Sequence, residues 1–291
     1  MSFEERSALY RTHVEHTLKE FYKSAHQEPQ KILIESMEYS LLAHGKRIRP
    51  IFAYDFCRMC GSPWENAAPF AADIEMIHNY SLIHDDLPCM DNDDFRRGRP
   101  TNHKVYGETM AVLAGDGLLT DAFAMASKAD LKSADDMSLA IYTLSTCAGS
   151  RGMVGGQVLD TMSENRICTE QEVLDIESRK TGGLIRAACV LGVIAGQGTA
   201  AQRKAAEDFA DALGLAFQIR DDMLDVIGTK EEMGKGVGTD AGKNTFVRLY
   251  GLNTCEKMVK DYTERAIDAL SVFQDTQYMK TLAKSLTERR V

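Results

Sequence analysis

Apolar residues recur at helical spacing along most of this chain, and nowhere do β-branched positions alternate in a sustained way between turn clusters. The prolines (Pro29, Pro50, Pro63, Pro69, Pro88 and Pro100) all fall within the first hundred residues. Residues 101–291, rich in Ala, Leu, Met and Glu, therefore predict helix after helix. No linker, charge block or composition break divides the chain, and no repeat of solenoid period is present. The expectation is one all-α domain over residues 1–291, a helical bundle.

Two short acidic runs interrupt this pattern: Asp85-Asp86-Leu87-Pro88-Cys89-Met90-Asp91 and Asp221-Asp222-Met223-Leu224-Asp225. Each places three carboxylates in apolar surroundings, where they repel one another and lose hydration unless a cation lies between them. Oxygen-only donors favour hard cations, and magnesium completes its shell with water and substrate phosphates. A magnesium-diphosphate site shared by two facing helices is the expectation.

On a helical wheel Asp225 lies about 40° from Asp221, Gln218 about 60°, Asp222 about 100° and Phe217 about 40° to the other side. That face collects carboxylates, an amide and a ring. A solvated face would intersperse Lys or Arg at the i+4 positions, and none occurs. The first run is less regular, because Pro88 removes a backbone donor and an even helix cannot carry Asp85 and Asp91 on one face. A local bulge would bring them together. Arg96 and Arg97 follow closely, and arginine grips phosphate oxygens bidentately.

The formal charge of −9 argues against nucleic acid and anionic membrane surfaces as partners. Within it, Lys46, Arg47 and Arg49 cluster, as do Arg96, Arg97 and Arg99, which suits small anionic ligands. Met1–Leu18 holds no apolar core, so no secretory signal is expected. The stretch Leu184–Ala195 is interrupted by Arg186 and is too short to span a bilayer. Seven cysteines, an odd number, favour a reducing cytoplasm, and the Cys57/Cys60 pair is expected in the core. Gln157 and Asp160 lie about 60° apart on a helix. Lys180-Thr181 beside Gly182-Gly183 offers an ammonium and a hydroxyl, and the glycine-rich stretch Gly234–Asp240 suits close approach to a diphosphate.

Together, Gly45-Lys46-Arg47-Ile48-Arg49-Pro50, Ser81-Leu82-Ile83-His84-Asp85-Asp86, Phe217-Gln218-Ile219-Arg220-Asp221-Asp222 and the Gly-Lys loop resemble the trans-prenyltransferases of the polyprenyl synthase family. They are most similar to those of the bacterial farnesyl diphosphate synthase type. The resemblance covers nearly the whole chain. It implies an isoprenoid-synthase helical bundle around a deep cavity, usually homodimeric, that binds isopentenyl diphosphate and allylic diphosphates.

By that resemblance Asp85, Asp91 and Asp221 would hold three Mg2+ ions, with Asp86, Asp222 and Asp225 in support. Arg96, Lys180 and Lys235, with Thr181 and Gln218, would serve the allylic diphosphate, and Lys180, Thr181 and Gln218 the catalytic step. Lys46, Arg49, His78, Arg97 and Phe217 would bind isopentenyl diphosphate. Gln157 and Asp160 would line the region where a carbocation forms. Tyr80, five positions before Asp85, would be the cavity floor, although the wheel nominates Ser81. No role is assigned to Lys243 or to Arg289-Arg290-Val291. The rival readings are a helical phosphohydrolase using His84-Asp85, a di-iron bundle using Glu75 and His78, and a terpene cyclase. The first leaves the second acidic run unexplained, the second lacks another ExxH unit, and the third has no need of a second basic set.

Overall fold

The computed structural model describes residues 1–164, 166–227 and 245–289, and most of them are helical. The first half comprises α1 (Phe3–Tyr22), α2 (Lys31–Leu41), α3 (Ile48–Met59), α4 (Ala68–Asp85), α5 (Asn102–Tyr106) and α6 (Glu108–Ala126). Next come α7 (Ala134–Ala148), α8 (Met153–Ser163), α9 (Glu170–Lys180), α10 (Gly182–Ala195) and the long α11 (Ala200–Ile227). Three helices follow residue 244: α12 (Phe246–Tyr250), α13 (Leu252–Ala269) and α14 (Gln277–Thr287). Among the described residues the strand content is one two-residue ladder, β1 (Phe95–Arg96) against β2 (Arg99–Pro100). Its turn residues, Arg97 at φ 53° and Gly98 at φ 74°, have the left-handed backbone that matches strand twist in tight hairpins.

The all-α expectation holds, and α10 shows why. Every residue of α10 except Arg186 is buried, so an all-round apolar helix forms the centre of the bundle. It packs on α3, α11 and α7, while α4 lies along α6 and α11 along α13. A Cβ on Gly192 would sit 2.4 Å from the Ala53 carbonyl oxygen, so the α10–α3 approach requires glycine there. A second apolar cluster joins Val173, Ile219, Met223, Phe246, Cys255 and Val259, and it fixes the α11 segment that carries the second acidic run. Burying Phe246 completely contributes about 1.5–3 kcal/mol.

Leu184–Ala195 is not the longest apolar helical segment. That is α6, at 19 residues long and apolar enough to cross a membrane by length and composition. Its Ala111, Ala114, Gly115 and Leu118 are buried, and the helix lies along α4. All seven cysteines are free; Cys57 is buried, Cys60 half-buried, and the Cys57 thiol donates to the Pro63 carbonyl at 3.2 Å.

Candidate active site

The first acidic run starts where α4 ends. The Asp91 N–H donates to the Asp85 carbonyl at 2.8 Å, and Asn92 N–H reaches Leu87 O at 3.1 Å with Asn92 at φ 54°. This tight turn is the local irregularity that Pro88 demands, and it brings Asp91 back beside Asp85. Asp86 points elsewhere. It is buried and receives Arg96 Nε on both oxygens, at 2.7 and 2.9 Å.

A cavity of about 540 Å3 opens beside Asp85. Its polar end has Arg49, His78, Lys180, Thr181 and Gln157, and both Tyr80 and Ser81 line it, with Val154, Val158 and Met162 from α8. Gln157 Nε2 donates to Asp85 Oδ1 at 2.9 Å, tying α8 to α4. Lys180 forms an ion pair with Asp160, joining α9 to α8. A Cβ on Gly156 would lie 2.3 Å from the Lys180 backbone nitrogen, so α8 and α9 meet backbone to backbone.

The second run connects to this cavity by a relay. Thr181 Oγ1 donates to Gln218 Oε1 at 3.2 Å, and Gln218 Nε2 donates to Asp222 Oδ1 at 3.3 Å. Asp222 is buried and its other oxygen accepts the Phe246 N–H at 2.7 Å, so this carboxylate anchors α12. Asp221 instead pairs with Arg289, whose guanidinium stacks 4.4 Å over the Phe217 ring and whose carbonyl accepts Arg220 Nε at 2.8 Å. Phe217, Gln218, Asp221 and Asp225 do not line the cavity beside Asp85.

On the basic side, Arg47 is structural. Its φ of 51° starts α3, and its buried guanidinium meets Glu75 at 2.6 Å, Glu15 at 3.3 Å and the Ala43 carbonyl at 2.8 Å. Arg49 and His78 face each other at 3.5 Å, and the buried Arg49 Nε has no hydrogen-bond partner among the described residues. Burial and the Arg49 and Arg97 guanidiniums hold His78 well below its usual range, which keeps the imidazole neutral. Lys46 is exposed, and Arg97 lies over Gly45. His84 Nε2 donates to the Val112 carbonyl at 3.1 Å with its ring against Gly115, and Glu75 is held by Arg47. These ties take both residues away from the phosphohydrolase and di-iron alternatives.

Residues 30–286 match the family described as polyprenyl synthetase. The chain belongs to that family. A farnesyl diphosphate synthase from Micrococcus luteus is 45% identical over 263 residues, spanning 89% of this chain and 90% of the relative. A chloroplastic geranylgeranyl pyrophosphate synthase from Catharanthus roseus is 44% identical over 251 residues, spanning 85% of this chain and 70% of that one. Among solved structures, geranylgeranyl pyrophosphate synthetase from Pyrococcus horikoshii superposes with a TM-score of 0.87 at 28% identity, covering 99% of each chain.

The electrostatics of this polyprenyl synthetase suit a hard cation. Burial pushes Asp85 up to about 6, with Asp91 and Asp86 adding to the rise against Lys180 and Arg96. The free donors around it are carboxylate oxygens, the chemistry magnesium takes. Among the described residues no three carboxylate, imidazole or thiol groups converge as a finished cage. An ion that keeps several waters and binds through substrate phosphates needs none.

Lys235 and Lys243, the loop Gly234–Asp240, Arg290 and Val291 lie outside the described residues. Two residues bonded to the candidate site were given no role by the sequence. A Glu177 carboxyl oxygen lies 3.4 Å from the Thr181 hydroxyl oxygen, and burial and Asp222 push this carboxyl up to about 8. Its signal was its place one turn before Thr181. Arg289 had no sequence signal beyond its charge.

Proposed function

We propose that this polyprenyl synthetase joins isopentenyl diphosphate head to tail with dimethylallyl and then geranyl diphosphate, giving (2E,6E)-farnesyl diphosphate. The observation that carries this is one cavity lined both by acidic and basic groups (Asp85, Arg49 and Lys180) and by apolar side chains, with Tyr80 among its walls. The identity to a farnesyl diphosphate synthase supports the product. A geranylgeranyl product is the second possibility, favoured by the similarity to the Catharanthus enzyme.

Asp85, Asp91, Asp221 and Asp225 would hold the Mg2+ ions, three by family resemblance, with Asp86 and Asp222 positioning Arg96 and α12. When bound, magnesium neutralises the charge that develops on a departing diphosphate. Lys180, Arg96 and Lys235 would hold that diphosphate. Leaving breaks the allylic C–O bond, and the electron pair stays on the diphosphate. The Thr181 oxygen, held by Gln218, would face the resulting allylic cation, while apolar walls would exclude the water that quenches it. Lys46, Arg49, Arg97 and neutral His78 would hold the second diphosphate, with Phe217 beside its carbon chain. The isopentenyl double bond then attacks the cation through its terminal carbon, which leaves the positive charge on the isopentenyl C3, and a proton passes from C2 to the released diphosphate as the new C2=C3 double bond forms.

The exposed apolar side chains Val112 and Leu113 on α6 support a homodimer, and free cysteines support a cytoplasmic location. The test is mass analysis of products from isopentenyl and dimethylallyl diphosphates with magnesium. A fifteen-carbon diphosphate is expected, lost on chelation. A mainly twenty-carbon product transfers the assignment to the second possibility, and no prenyl product overturns both.

A further inference from the structure

We infer that a pocket on the outer side of the α8–α9 wall binds a small multivalent oxyanion of the phosphate or diphosphate class. The pocket has a volume of about 270 Å3 and shares no lining residue with the cavity beside Asp85. Arg151, Arg179 and Arg186 line it from three different segments, with the hydroxyls of Thr146 and Ser178. No carboxylate lines it.

Three guanidiniums around one concavity repel one another, and this chain has acidic residues to spare, with 43 Asp and Glu against 34 Lys and Arg. Among the described residues only Arg186 of the three has a carboxylate bonded to it. Arg186 gives Nε and one terminal nitrogen to Asp211, at 2.7 and 2.6 Å, and so keeps its other terminal nitrogen. Glu207 also contributes to the field at Arg186 but does not line the pocket. Arg179 spends one terminal nitrogen on the Arg151 carbonyl, at 3.0 Å. The Arg151 guanidinium is exposed and has no hydrogen bond or ion pair among the described residues. With Asp211 counted, two positive charges remain in excess, and planar forks match tetrahedral phosphate oxygens. Gly152 also lines the pocket, and a Cβ there would lie 1.9 Å from the Cys147 carbonyl oxygen, so the tight turn that leads into α8 requires glycine.

The pocket is mechanically joined to the reaction cavity. Arg179 directly precedes Lys180, Arg151 leads into the helix that carries Gln157, and Gly156 seats one helix on the other. An anion gripped by Arg151 and Arg179 braces the wall that aims Lys180 and Gln157.

The site is tested on the full chain by soaking crystals in selenate, whose anomalous signal locates it, and by calorimetry of inorganic diphosphate in EDTA. A selenate peak bounded by Arg151, Arg179 and Arg186 is expected. The calorimetric event should weaken about tenfold or more in the Arg151→Gln/Arg179→Gln variant and survive in Lys46→Gln/Arg49→Gln, which separates it from anion binding inside the cavity. Arg151→Glu serves if the double variant does not fold, because Arg151 is exposed and unpaired. No peak in this pocket, a peak with no diphosphate binding in solution, or identical isotherms for wild type and the Arg151 variants overturns the inference. Flotation with phosphatidylglycerol vesicles that Arg151→Glu abolishes, without binding of inorganic diphosphate, overturns it in favour of a lipid headgroup.

Discussion

Gln157 on α8 and Asp85 on α4 are joined by a 2.9 Å hydrogen bond across the polar end of the cavity. The amide fixes which oxygen of Asp85 is turned toward α8 and which is left for a cation. Groups that orient a metal ligand are worth about 10–100-fold in metal affinity or activity. Gln157→Leu should therefore raise the half-saturating magnesium concentration about tenfold, with little change in melting temperature. Turnover measured against magnesium concentration checks this, and an unchanged curve would separate Gln157 from the metal.

Asp85 has an ordinary value of 3.8 and is pushed up to about 6 in the fold. The folded chain thus holds a proton that the unfolded chain has lost between those values. Stability falls as pH rises through that window, and the whole cost is present above it. In EDTA, Asp85→Asn should be more stable than wild type at pH 7 by on the order of 1 kcal/mol, and equal to it below pH ~4. Its turnover should fall by roughly three orders of magnitude or more, since charge stabilisation by a metal is worth several kcal/mol. Denaturation across pH and steady-state kinetics test the two halves separately.

Arg289 occupies the carboxylate of Asp221. The pair has to open before Asp221 can serve a cation, so Arg289→Ala should bind magnesium more tightly when substrate is absent. The two side chains are 18% and 39% exposed, and a pair this accessible is worth about 1 kcal/mol at most, or about fivefold in affinity. Competition with a fluorescent magnesium indicator measures it; weaker binding in the variant would show that Arg289 supports the site.

Tyr80 is 6% exposed, lines the cavity and packs edge-on to His84 at 5.8 Å. Replacing the ring by a methyl group opens depth where a growing chain would end. Tyr80→Ala should shift the main product from fifteen carbons to twenty or more. Chromatography of the dephosphorylated products decides it, and an unchanged fifteen-carbon product from a folded variant places the floor elsewhere.

The helical class was legible because proline is absent from residues 101–291 and apolar residues recur at helical spacing, both local properties. The acidic runs were legible for the same reason, since each is contiguous. The wheel placed Asp222 on the edge of the acidic face, yet the structure turns it into the core to receive Phe246 N–H, from a helix the wheel does not contain. Gln157 with Asp85 and Arg289 with Asp221 are pairings between distant segments, which no periodicity encodes. Ser81 and Tyr80 were rivals on an ideal wheel. Both reach the cavity, because it is wide enough to take in more than one face of α4.

The glycine contact between α8 and α9 has an evolutionary consequence. With no side chain between them at Gly156, these helices act as one plate whose spacing point mutations elsewhere do not alter. Lys180 is fixed on that plate, whereas Val154, Val158 and Met162 merely protrude from it into the cavity. On the proposed function, exchanging those three, or Tyr80 on α4, would change how much carbon chain fits and leave Lys180 in place. Relatives with this backbone can therefore diverge in product length through a few apolar substitutions.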